Sequence, residues 1–123
     1  MYEIMAMIKS GHDLSREWMR GELRQIRGLE KKIEEDESPR IKIREENAYI
    51  SIDFNNKDYV VIESKEIADK HGIDCTDCVS RFEISGKDED MLLFNDFLLL
   101  MERLENHGAF VLFDKYTGKL YGK

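Results

Sequence analysis

At Pro39, the single proline of the chain, the spacing of apolar residues changes from three-and-four to two. Before it, Leu14, Trp18, Met19, Leu23, Ile26, Leu29 and Ile33 recur at helical intervals. After it, Ile41 and Ile43, then Ala48, Ile50, Ile52 and Phe54, alternate with polar residues. Side chains return to one face about every 3.6 residues in a helix and every two in a strand, so the two patterns demand different elements. A chain of 123 residues that carries both is expected to be α+β, with helices packed on a mostly antiparallel sheet.

The first long helix is expected over 14–35, capped by Asp13 or Ser15. The acids of EEDESP oppose the dipole at its end, and Pro39 keeps Ser38 out of the helical region. YEIMAMI (2–8) is apolar on both faces, as a central strand would be. RIKIRE (40–45) and AYISIDF (48–54) meet at Glu46-Asn47 as a hairpin, and NNKD turns again into YVVIE (59–63), giving a three-strand meander. A short helix at 64–71, a strand at 79–85, a second long helix at 88–106 and a hairpin from AFVLFD to KLYGK complete the order β-α-β-β-β-(short α)-β-α-β-β. No repeat or low-complexity tract interrupts it, so residues 1–123 are expected to form a single domain.

Charge narrows the function classes. With 19 Lys and Arg against 26 Asp and Glu, the net charge of −7 disfavours nucleic acid, whose phosphates need clustered cations. The longest apolar run, at 91–101, is broken by Asn95 and Asp96 and falls short of a membrane span. The opening MYEIMAMIK has no basic leader, so a cytoplasmic location is expected.

Three groups invite a chemical reading and each has a plainer one. Cys75 and Cys78 are the only cysteines, spaced as a redox or zinc pair. They follow a helix end instead of opening one, and Asp74 and Asp77 disfavour thiolate, so two half-buried thiols in a bend are expected. His71, Cys75 and Cys78 are the alternative, a metal- or thiol-dependent cluster that lacks a fourth ligand; no cofactor is expected. SGHD (10–13) has triad residue types in one loop, where triad geometry is rarely possible, and is expected to be a strand-to-helix turn. Arg16, Arg20, Arg24, Arg27 and Lys31 lie opposite the apolar stripe, as an ordinary solvated face would. Gly21 and Gly28 each cost about 1 kcal/mol relative to Ala in a helix, which raises the prospect of a close backbone neighbour.

Residues 58–105 carry 13 acidic and five basic side chains and so hold the whole charge imbalance. No calcium loop, phosphate-cradling glycine motif or His-Glu-x-x-His is present. Clustered carboxylates steer basic partners, and tyrosines anchor them. The expected function is therefore a non-enzymatic module that binds a basic protein, plausible as an inhibitor; small immunity proteins that neutralise toxin nucleases share this size and acidity. The expected contact residues are Asp58, Tyr59, Glu66, Asp69, Asp74, Asp77, Asp88, Glu89, Asp90 and Tyr116, with Tyr49 a further anchor. The apolar residues of 88–106 cover too much of that helix for one sheet face to bury, so a homodimer through it is a third expectation.

Overall fold

The computed structural model describes residues 2–34, 40–73, 75 and 77–121. Its strands are β1 (Tyr2–Ile8), β2 (Ile33–Glu34), β3 (Ile41–Glu45), β4 (Ala48–Asn55), β5 (Arg81–Lys87), β6 (Phe110–Asp114) and β7 (Lys119–Leu120). Its helices are α1 (Arg16–Arg24), α2 (Asp58–His71) and α3 (Phe94–His107). The strands form one antiparallel sheet in the order β2-β3-β4-β5-β1-β6-β7, so the fold is α+β.

β1 sits inside the sheet between β5 and β6, which explains its apolar residues on both faces. Ile4, Ala6 and Ile8 join the larger core with Phe82, Ile84, Phe110 and Leu112, beneath α1 and α3. Met7 points the other way, into a smaller core with Ala68 of α2 and both cysteines. Helices therefore cover both faces of the sheet. Among the described residues no helix is long and apolar enough to cross a membrane.

The helix expected over 14–35 stops at Arg24. Ser15 opens it, its hydroxyl accepting from the Trp18 N–H at 3.4 Å. Past Gln25 the chain continues in tighter turns, with the N–H groups of Ile26, Leu29 and Lys32 bonding to carbonyls three residues back. Such turns place residues three apart on one side, so Leu23, Ile26 and Leu29 stay buried although the α-helix has ended. Gly28, at φ +83°, takes a conformation that other residues rarely adopt. No neighbour lies within 4 Å of a Cβ built on Gly21 or Gly28, so close approach explains neither.

YVVIE is not a strand. It belongs to α2, whose buried residues Val60, Ser64 and Ala68 recur every fourth position and lay the helix on the sheet through short side chains. Val61 and Ile62 face outward, the latter 62% exposed. The third strand of the meander is instead β5, paired along its whole length with β4. At Gly86 a Cβ would collide with the Tyr49 carbonyl oxygen and sit 3.0 Å from the Ile50 Cα, so only glycine lets these strands close.

Three ion pairs, made by Arg103 and Lys32, brace the surroundings of α3. Arg103 Nε donates to Glu22 at 2.8 Å, and Lys32 Nζ lies 2.9 Å from both Glu45 and Asp96. The bonds to Asp96 and Glu45 hold the Lys32 ammonium above its usual pKa, against a smaller opposing effect of burial.

Candidate functional site

β5 ends at Lys87, and six residues carry the chain into α3. Asp88 organises them. Its Oδ1 accepts from the Leu92 N–H at 2.6 Å, and its Oδ2 accepts from the Leu93 N–H at 2.7 Å and the Tyr2 hydroxyl at 2.6 Å. Held this way, Met91 adopts φ +56°, a left-handed conformation that costs a non-glycine residue about 1–3 kcal/mol. The outcome is an apolar side chain displayed to solvent, with Met91 57% exposed.

Beside this turn lies a cleft of about 430 Å³. Tyr2 stacks on Phe97 with ring centroids 4.3 Å apart, and Tyr121 meets Phe97 edge-on at 6.4 Å, making an aromatic floor. Met91 and Phe94 form one wall, and Glu89 and Asp114 add acids from two separate segments. Glu3 borders the cleft from β1, where it alternates with Tyr2 and Ile4 and turns its side chain to the other face. None of the described residues that line it is basic. The field is felt by both phenols: burial and the bond to Asp88, then the charges of Asp88 and Asp96, push the Tyr2 hydroxyl far above its usual pKa. Tyr121 is raised by burial and by the charges of Glu105 and Asp114.

The expected contact residues fall into two groups on different parts of the molecule. Asp58, Tyr59, Glu66 and Asp69 are exposed on α2, and Asp77 is exposed in the loop after it; Asp74 lies outside the described residues. Tyr59 is partly engaged at home, its hydroxyl 2.7 Å from Asn55 Nδ2 and its ring under the Arg81 guanidinium at 5.7 Å. Glu89 and Asp90 are exposed at the cleft end, whereas Asp88 is buried and its oxygens are taken, so it shapes the cleft without offering a free carboxylate. Tyr116 stands exposed on the turn after β6, where Asp114 Oδ1 accepts from the N–H groups of Tyr116 and Thr117.

Sequence reasoning missed Tyr2, Glu3, Asp114 and Tyr121. Only the sheet register, with Tyr2 opposite Gly86 and Ile4 opposite Asp114, brings them to the Asp88 turn. The surplus of apolar residues at 88–106 did carry a signal. Its outward members, Met91, Leu92, Phe94, Leu98 and Leu99, are all substantially exposed.

Cys75 and Cys78 are not half-buried thiols. They are joined in a disulfide with Cα atoms 5.3 Å apart, and both are buried against Met7 and Ala68. Bridged sulfurs are not thiolates and offer a metal nothing at these positions. The His71 ring lies against Phe113 with centroids 5.5 Å apart, and its buried Nε2 has no hydrogen-bond partner among the described residues. Among those residues no group of three or more His, Cys, Asp or Glu side chains is arranged to hold a metal ion. No protein-family model matches the chain, and comparison with curated proteins and with solved structures found no match either.

Proposed function

We propose that this protein is a non-enzymatic binding module that captures a basic protein and, by covering its cationic surface, acts as an inhibitor of the immunity type. The observation that carries this is the meeting of Glu89 and Asp114 at an apolar-floored cleft with no basic lining residue among those described. In a chain of net charge −7 such a cleft concentrates negative potential, which speeds capture of cations and disfavours anionic partners. The aromatic floor supplies the area that turns steered encounter into lasting contact.

The test is selection of random displayed peptides on the immobilised full-length protein at physiological salt. Enrichment of sequences with an excess of Lys and Arg, binding saturably and more weakly as salt rises, supports the proposal. Enrichment of neutral or acidic sequences, or of none, overturns it.

A further inference from the structure

The cleft does not end at its own rim. Met91 and Phe94 line it and also begin a row of outward apolar residues that continues to Leu98, one helical turn beyond Phe94. Phe94 is 38% and Leu98 40% exposed. We infer that the cleft and the outer face of α3 form one continuous docking surface for an amphipathic basic segment of a partner protein. Apolar residues of that segment lie along Met91, Phe94 and Leu98, and a Lys or Arg side chain enters the cleft between Glu89 and Asp114. This rests on the basic-partner function proposed above and names its surface and its ligand.

Three observations select that occupant. The first is charge complementarity: among the described residues no ion pair engages Glu89, and Asp114 spends only Oδ1, on backbone N–H groups. The second is the Met91 side chain, 57% exposed where the cleft meets the outer face of α3, an apolar group in water on a backbone that the Asp88 bonds hold at positive φ. The third weighs against a second copy of the chain. Two copies of a chain of net charge −7 repel one another, which opposes self-association. α2 also exposes acids and apolar residues, but its acids adjoin Lys65 and Lys70 on the same helix, and the cleft lined by Glu3, Asp53 and Glu83 also holds Lys115.

The probe is a fluorescein-labelled helical peptide of about four turns with leucine on one face and arginine on the other, read by anisotropy against the intact protein. Two companion peptides replace either all leucines with serine or all arginines with glutamine. Leu98→Glu is expected to weaken binding about tenfold or more at any salt, and Glu89→Lys by a similar factor at low salt and less at high salt. Met91→Gly removes the displayed side chain while relieving the backbone, so it weakens binding with no loss of thermal stability. Glu66→Lys and Asp69→Lys on α2 stay within about twofold.

If the α2 variants lose binding and the α3 and cleft variants keep it, the surface is misassigned although the basic-partner function stands. If the arginine-free peptide binds as well as the parent, that function falls and the inference with it. Sedimentation of the unliganded protein as a dimer that Leu98→Glu dissociates assigns the face to a second copy and overturns the inference. Circular dichroism and melting temperature check that each variant is folded.

Discussion

In Asp88→Asn the side chain keeps its size and loses one acceptor. The native carboxylate takes three hydrogen bonds, two at Oδ2 and one at Oδ1. An Asn oxygen placed at the Oδ2 position keeps Tyr2 and Leu93, and its amide nitrogen then faces the Leu92 N–H, donor against donor. An orphaned buried donor costs about 1–3 kcal/mol, and changing the two retained bonds from charged to neutral acceptors costs about another 1 kcal/mol. The expected loss is thus about 2–4 kcal/mol, a large share of the stability of a small domain. Urea denaturation followed by the fluorescence of Trp18, which lies 5.6 Å from the Phe110 ring, measures it. With a urea slope of about 1–3 kcal/mol/M the midpoint falls by on the order of 1–2 M. Tyr2→Phe removes only the hydroxyl and costs about 1 kcal/mol. Because the two share a bond, the double variant must lose less than the sum of the single losses. A loss below about 0.5 kcal/mol in Asp88→Asn, or strict additivity with Tyr2→Phe, refutes the role given to Asp88.

Gly86→Ala places a methyl group against the backbone of β4 and is expected to lower stability by about 3 kcal/mol or to abolish soluble expression; an unchanged melting temperature contradicts the close strand approach. Alkaline pH destabilises the fold by linkage. Tyr2 and Tyr121 have folded pKa values above the unfolded value of about 10, so their contribution is complete below that pH and is lost as pH rises through the folded values. Lys32, raised by Asp96 and Glu45, adds to the same loss, and Tyr2→Phe should flatten the fall of stability measured by urea titrations across the alkaline range. Reducing the Cys75–Cys78 bridge, which closes a very short loop, is expected to cost about 2 kcal/mol from chain entropy, read as the difference in urea midpoint with and without a reductant. An identical midpoint shows that the bridge does not stabilise the fold.

Where a residue's partners are close in sequence, its place was legible. The alternation of Ile41 and Ile43, and of Ala48, Ile50 and Ile52, specified β3, β4 and their buried face. Local spacing misled in two places. Turns with bonds three residues back kept Ile26 and Leu29 on the core and imitated a longer helix. In α2 the β-branched residues around Val60 favour a strand, but the fit of Val60, Ser64 and Ala68 against the sheet prevails, and buried Ser64 does not register as an apolar position. The candidate site was legible only in part for the same reason. Glu89 and Asp90 belong to the acidic middle of the chain and could be named from sequence, whereas Tyr2 and Asp114 reach the cleft through strand register set over 80 or more residues.

The placement of β1 inside the sheet also governs when this molecule can finish folding. Its seven residues find their partners far along the chain, in β5 at Arg81–Lys87 and β6 at Phe110–Asp114. The β3–β4 hairpin can zip locally, but β1 must wait for β5 before one of its edges is satisfied and for β6 before the other is. Closing such long loops before any contact rewards them slows folding into the millisecond-to-second range typical of sheets dominated by distant pairings. During that wait Ile4, Met5, Met7 and Ile8 form an uncovered β-prone segment, so the unfinished fold is open to misassociation at β1 until β5 and β6 pair with it.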